Sequence, residues 1–539
     1  MKINKILLGA FALSMTFASC SNDEPAKGPN EGGNTDGEKY VAVSIKNVKD
    51  FGSRAATDNG FEGPANGSSE GDITAENIRF YFFTAEGLPF IMAQTGVNGT
   101  VIESNMVKPD EIKAGNTDGT ATELDAVLVL GTPTEVYKGN RPARMFCLAN
   151  APDEAAYKDF ANIKLEKLLD ITRTLPANWS KFRMTNSTYL DAAGNLIYYT
   201  DISKNVQDTK KLAEENPADI FIERLAAKIR VTGLNTYTVK KKDATAADGL
   251  ADLTIKLRTA DNTTVETKLD IELQGWQPYM TALRTYAVKN IDESWTDETI
   301  FSGWNQPSLH RCYWASDPGL NNNNSDFNNN KYDLYSADYF KLKNFDKAKA
   351  TENIFYTFEN TLSSKTPPTS ATDRTTEATA IVVKGVLKKA GATEALDMVQ
   401  WAGDYFTTSY FKEVVAAAYQ DETGDKTVTA NDVKFEKYTR EGASSNTYYT
   451  VVKNNDFIRF NNIQHWNGGI TSYFTNIEHL GNKFGVVRNH IYDYEFTNVV
   501  GLGVPGNDPK NPDPTKETYL AARVYCLNWH IIGNSVVLE

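Results

Sequence analysis

The sequence predicts a mainly all-β chain: two antiparallel β-sandwich domains with a few short helices. Three observations predict it. Short apolar runs rich in β-branched and aromatic residues recur along the chain, at 78–83, 126–130, 145–148, 225–231 and 253–257, then at 354–358, 380–387, 448–452, 472–477 and 492–500. Clusters of Gly, Asn, Asp and Pro separate many of them, as turns separate the strands of a sandwich. The chain has 539 residues, a prior of about three units at roughly 150 residues each, which two large β domains fit as well.

The first 19 residues are a leader. Lys2 and Lys5 precede an apolar run at 6–17, and small Ala18 and Ser19 lead to Cys20. This is a secretory signal, excluded from the fold. The tetrad Phe17-Ala18-Ser19-Cys20 resembles a bacterial lipobox, which makes Cys20 the acylated residue and a lipid anchor. Acyl chains contribute about 0.8 kcal/mol per buried methylene, so several chains anchor lastingly where one is marginal. The stretch 20–54 then holds a tether and a first strand, which the resemblance given below makes a propeptide. Its first part, rich in Asn, Gly, Asp, Glu and Pro, buries too little surface to order itself and serves as a tether.

From Tyr40 to Lys46 the chain alternates, with Val41, Val43 and Ile45 on one face and Ala42, Ser44 and Lys46 on the other. That pattern predicts a strand with one buried face. The polar stretch after it holds Arg54-Ala55, so a protease-accessible loop joins this strand to the rest.

The first sandwich is assigned to 55–220 and the second to 221–504. Tyr157, Phe160, Ala161, Lys164 and Leu168, spaced three or four apart, predict a helix covering one sheet. Two motifs fail on context. Asp326-x-Asn328-x-Asn330 opens like a calcium loop, but Lys331 replaces the required Gly and Ala337 stands where a bidentate Glu belongs. Gly67-x-Ser69-x-Gly71 matches a nucleophile elbow but follows a loop instead of a strand.

His310, His465, His479, His490 and His530 are scattered with no ligand spacing, and 69 acidic residues single out no catalytic pair. Cys147, Cys312 and Cys526 form no C-x-x-C pair. No catalytic residue, metal or cofactor is called for. The net charge of −13 and the absence of a Lys/Arg cluster exclude nucleic acid as a partner.

Residues 505–539 comprise a Pro-rich spacer and two strand-like runs. Extended at about 3.1 Å per residue, the spacer spans the width of a domain, so the tail can leave its own subunit. The two ends make one mechanism. Cutting after Arg54 frees the strand of Val41, Val43 and Ile45, and its loss bares an apolar groove between two strand edges. A second copy fills it with a strand drawn from Val524, Cys526, Leu527, Trp529, Ile531, Ile532, Val536 and Leu538. Head-to-tail contact of this kind does not close and gives a filament.

Several segments carry a resemblance that covers nearly the whole chain. They are the lipobox at Cys20, Arg54-Ala55, Ile222-Glu223-Arg224-Leu225-Ala226-Ala227-Lys228-Ile229, and Tyr356-Thr357-Phe358-Glu359-Asn360-Thr361. The C-terminal block adds Gly468-Gly469-Ile470, Gly485-Val486-Val487-Arg488-Asn489-His490-Ile491-Tyr492, Gly501-Leu502-Gly503 and the tail from Val524 to Gly533. In these the chain resembles the fimbrilins, the structural subunits of type V pili, and in particular the major subunit of the minor (short) fimbriae. The resemblance implies transthyretin-like sandwiches, export as a lipoprotein, display on the outer membrane, and cleavage between Arg54 and Ala55 by an Arg-specific protease. It also implies donor-strand polymerisation at the cell surface for adhesion, alongside accessory anchor and tip subunits. The alternatives are an anchor or tip subunit of the same pilus, or a surface glycan-binding lipoprotein of starch-utilisation type, a class of mostly helical repeats.

Overall fold

The computed structural model describes residues 39–47, 77–95, 99–110, 112–114, 123–174, 182–191, 193–261, 263–279, 281–282, 284–291, 332–333, 354–361, 379–439, 446–452, 456–479, 483–506, 519–528 and 531–532. Cys20, Arg54, Ala55, Trp529, Val536 and Leu538, both rejected motifs, and the cysteine at 312 lie outside them. The described part is mainly β with few short helices, as the alternating runs predict.

The N-terminal unit contains strands β1 (Lys39–Asn47), β2 (Ile78–Phe83), β3 (Glu123–Leu130), β4 (Arg144–Ala149), β5 (Met184–Asn186) and β6 (Ala218–Arg224). Hydrogen bonding orders them β2-β4-β5-β6-β1-β3, with Met106–Val107 beyond β2 and Ile112–Ala114 beyond β3. Alternate residues of β2 and β4 divide between two cores. Ile78, Phe80, Phe82, Met145 and Cys147 join Val41, Val43, Ile45, Leu128 and Ile220 in one core. Tyr81, Phe83, Phe146 and Leu148 pack with Tyr157, Phe160, Leu165 and Leu168 in the other. Tyr157, Phe160 and Leu168, with Ala161 and Lys164, are expected from their spacing on one helix. The structure instead holds α1 (Glu154–Lys158) and a separate 3-10 turn, Leu165–Asp170. Asn162, at φ 59°, breaks the run. Its N–H donates to the Asn105 side chain at 2.8 Å, and its own side chain accepts from the Asn105 N–H at 3.1 Å. These bonds reach a residue 57 positions away and hold Asn162 in a left-handed conformation that a continuous right-handed helix excludes.

The C-terminal unit contains β7 (Ala227–Thr232), β8 (Thr263–Tyr279), β9 (Ala380–Lys389), β10 (Ile470–Asn476), β11 (His490–Val500) and β12 (Tyr519–Asn528). β8, β9 and β10 pair antiparallel in succession; β11 runs parallel to β7 on one side and antiparallel to β12 on the other. Their inward residues, among them Ile229, Val231, Ile271, Ile381, Val383, Tyr473, Tyr492 and Tyr494, form one core.

A smaller core gathers around helix α3 (Thr408–Thr423), whose Phe411, Val415 and Tyr419 recur every fourth residue and are buried. Gly424 ends it in the left-handed conformation at φ 77°.

Strand β6 crosses the boundary expected between 220 and 221, because its residues Ala218, Ile220 and Ile222 all belong to the N-terminal core. Ala226, and Ile491 at the start of β11, pack into that same core.

Candidate functional site

Strand β1 fills a slot in the middle of the N-terminal sheet. It runs antiparallel to β3, from Lys39↔Leu130 to Lys46↔Glu123, and parallel to β6, from Val43↔Ala218 to Asn47↔Ile222. Val41, Val43 and Ile45 are at most 1 % exposed. The expectation of a single buried face needs correction: Ala42 and Ser44, on the other face, are each only 5 % exposed. The reason is helix α2 (Lys210–Glu215), which lies against β1 and β3. Taking β1 away would strip backbone partners from both β3 and β6.

The segment leading into α2 also ties down the start of β1. Tyr40 and Gln207 exchange two backbone hydrogen bonds of 2.8 Å. Lys39 Nζ donates to Asp208, whose two carboxylate oxygens each accept from Arg141 Nη2 at 3.0 Å. Arg141 Nη1 in turn donates to the Val206 carbonyl at 2.7 Å. The Lys39 hydrogen bond first, helped by the Arg141 and Lys39 charges, holds the Asp208 carboxyl below its usual range although burial opposes it. A depressed folded-state value means that the clasp contributes above the ordinary carboxylate range and is lost as pH falls through the folded value. In protein cut after Arg54, Asp208→Ala is therefore expected to speed the loss of the β1 fragment several-fold. The wild-type fragment should likewise leave faster below about pH 4 than at neutrality. Size-exclusion chromatography with mass detection of the fragment measures both.

The junction between the units holds a second feature, which sequence reasoning missed. Four charged side chains, Glu223, Lys289, Glu359 and Arg488, have no solvent exposure. Arg488 engages Glu359 through both Nε and Nη2. Lys289 Nζ donates to Glu223 Oε2 at 2.7 Å, and Arg488 Nη1 lies 4.0 Å from Glu223 Oε1. Thr285 Oγ1 donates to Glu359 and accepts from Arg488, both at 2.9 Å. Arg488 also donates to the Tyr286 carbonyl at 2.7 Å.

Burial alone would lower the Arg488 guanidinium's pKa, but Glu359 and then Glu223 outweigh it and raise the value. Burial pushes the Glu223 carboxyl up, only partly offset by Lys289 and Arg488. Glu223 sits on β6, beside β1, while Arg488 lies two residues before β11, which pairs with the tail strand β12. Next to Arg488, Asn489 (φ 62°) donates its N–H to the Ala226 carbonyl at 2.6 Å. The backbone thus closes the same joint.

The tail residues fall as follows. Val524, Cys526 and Leu527 lie in β12, in register with Tyr494, Tyr492 and Ile491 of the chain's own C-terminal sheet. Ile531 and Ile532 pair back onto Leu527 and Cys526. The Gly501-Leu502-Gly503 motif has a steric origin: Gly501 and Gly503 take φ of 74° and 70°, and a Cβ on Gly503 would come 2.3 Å from Thr471 Oγ1.

Among the described residues, no group of three or more His, Cys, Asp or Glu is placed to hold a metal, and no helix is long and apolar enough to cross a membrane. His465 and Thr408 both bond the Asp397 carboxylate, at 2.9 and 2.5 Å. This ties the start of α3 to its sheet.

The family profile described as major fimbrial subunit protein type IV, fimbrillin, C-terminal, matches residues 470–535, which span β10, β11 and β12. A search of curated proteins finds no match. Among solved structures, a candidate cell adhesion protein from Bacteroides eggerthii is 13 % identical over 93 % of this chain and 100 % of its own, with a TM-score of 0.32. A fimbrial assembly protein from Parabacteroides distasonis is 10 % identical over 78 % of this chain and 99 % of its own, with a TM-score of 0.28. The tip fimbrial protein Mfa3 from Porphyromonas gingivalis, truncated at its C-terminus, is 10 % identical over 91 % of this chain and 100 % of its own, also at 0.28. The similarity to the fimbrillin C-terminal family is thus carried by residues 470–535, the segment of β10, β11 and β12.

Proposed function

We propose that this chain is a structural subunit of a surface fimbrium that polymerises by strand exchange. It is exported as a lipoprotein acylated at Cys20 and freed by an Arg-specific protease that cuts between Arg54 and Ala55. It is then joined head to tail to other copies of itself for adhesion, with accessory anchor and tip subunits at the ends of the fibre. The observation that carries this reading is the position of β1. A central strand with buried Val41, Val43 and Ile45 is joined to the rest of its sheet only through the stretch between Asn47 and Ile78, which contains Arg54. After a cut there, noncovalent contacts alone retain it. The anchor and tip alternatives fit less well. An anchor keeps its first strand, and a tip has no need of a donor tail.

Purified precursor treated with an Arg-specific protease should form a ladder on an unheated gel. Arg54→Ala should stay monomeric. A chain ending before Tyr519 should be cut and still stay monomeric. Polymerisation of that truncated chain would sink the reading.

A further inference from the structure

Thr471, Ser472 and Tyr473, consecutive residues of β10, are all buried. Each donates its side-chain hydroxyl to a backbone carbonyl of the segment 501–506. Tyr473 donates to Gly501 at 2.9 Å, Thr471 to Leu502 at 2.6 Å, and Ser472 to Gly506 at 2.7 Å. Successive side chains of a strand point to opposite faces, so the segment is held on both faces of β10. Its backbone is bound as well. Gly506 N–H donates to the Ile470 carbonyl at 2.9 Å, Gly501 N–H donates to the Lys240 carbonyl at 2.8 Å, and Val504 and Pro505 stand opposite Ser472 and Thr471. Leu502 is buried in the C-terminal core. A Cβ on Gly503 would also come 2.9 Å from the Ser472 carbonyl oxygen, so bare backbone packs directly on β10 here.

Beyond Gly506 the next described element is β12, and its hold is of another kind. From Tyr519 opposite Val500 to Asn528 opposite His490, it is paired through the backbone ladder of β11. The β1 slot presents two strand edges, which return such ladder bonds to an incoming strand. The hydroxyl bonds to 501–506 have no such replacement, because their donors stay behind on β10 of the same subunit. Withdrawing the segment would orphan three buried hydroxyls together and take Leu502 out of the core. A fibre also pulls on each subunit through its tail. Were 501–506 free to follow, that pull would reach Val500 and then β11, which carries the core residues Tyr492, Tyr494 and Phe496.

We propose that Thr471, Ser472 and Tyr473 are positioning residues that clamp the root of the tail. On exchange only the chain beyond Gly506 leaves its own subunit, and the load of the fibre enters that subunit at β10. The proposal rests on the strand-exchange reading above and adds to it where the donor segment begins. The spacer from 507 to 518 alone then sets the reach to the next subunit.

The test locks each joint of the full-length precursor with an introduced disulfide. Residues opposite each other in an antiparallel pair stand about 4.5–5.5 Å apart at Cα, within the span a disulfide bridges. One lock joins the root to β10, by Ser472→Cys with Val504→Cys, and the other joins β12 to β11, by Glu495→Cys with Arg523→Cys. Each oxidised chain, its bond confirmed by peptide mapping, is cut with an Arg-specific serine protease and followed on unheated gels beside the same chain after reduction. A folding defect of the variant would slow both forms alike. The root lock should polymerise as fast as its reduced form. The β12 lock should polymerise at least about tenfold more slowly until reduced, because the covalent bond keeps that strand in its own sheet. Hydrogen exchange of the unaltered protein gives a second reading: peptides covering 501–506 should be equally protected in precursor and polymer. A root lock that stops polymerisation, or loss of that protection in the polymer, overturns the clamp while leaving strand exchange standing. A β12 lock that polymerises freely overturns both.

Discussion

Arg488→Met is expected to lower the stability of the folded chain by about 3–5 kcal/mol, the range for removing one partner of a buried ion pair. The guanidinium has no solvent exposure and makes its bonds to Glu359, Thr285 and the Tyr286 carbonyl entirely inside protein. Without it, Glu359 is left a buried carboxylate that must take up a proton or draw in water, and either course costs free energy. Glu359→Leu added to Arg488→Met should recover much of the loss, because the 2.7 Å pair between Lys289 and Glu223 survives and no lone charge is left beside it. Urea titration followed by two independent probes measures both variants. A drop under about 1 kcal/mol in the single variant would mean that the quartet does not hold the units together.

The parts of this molecule that were legible in its sequence are those governed by near neighbours. The alternation of Val41, Val43 and Ile45 depends on the two-residue period of a strand alone, and the structure keeps it. What the outer face touches depends on α2, about 170 residues away, and no local pattern at Ala42 and Ser44 reports it. The single helix expected through Tyr157 and Leu168 has the right spacing but contains Asn162, a residue that readily takes positive φ, and the chain breaks there. Helix α3 also carries a local signal: Phe411, Val415 and Tyr419 recur every four residues and Gly424 follows.

The buried quartet illustrates the opposite limit. Glu359 and Arg488 lie 129 residues apart, and Glu223 and Lys289 lie 66 apart. Among 69 acidic residues, nothing in composition or spacing distinguishes these two carboxylates. Yet Glu223, Glu359 and Arg488 each lie in a segment that carries the fimbrilin resemblance. Their convergence on one joint shows why spacing hides them: β6, the segment of Glu359 and the turn before β11 meet only in the folded chain.

A chain begun at Ala55, with residues 1–54 never made, should lack a cooperatively folded N-terminal unit until a strand is supplied. It loses three core side chains worth about 1.5–3 kcal/mol each, and both β3 and β6 are left with bare backbone along the slot. That loss is of the same order as the whole stability of an ordinary domain, about 5–15 kcal/mol. A synthetic peptide spanning Lys39–Asn47, added in trans, should restore a thermal transition. The same peptide with Val43→Asp should not, because it would carry an unpaired carboxylate into the core beside Ala218 and Ala126. A peptide spanning Tyr519–Asn528 should compete with the first for the slot, and its success ties the two ends of the chain to one groove. An Ala55 chain that melts at the wild-type temperature without any peptide would show that β1 is dispensable, and exchange would then have no driving vacancy.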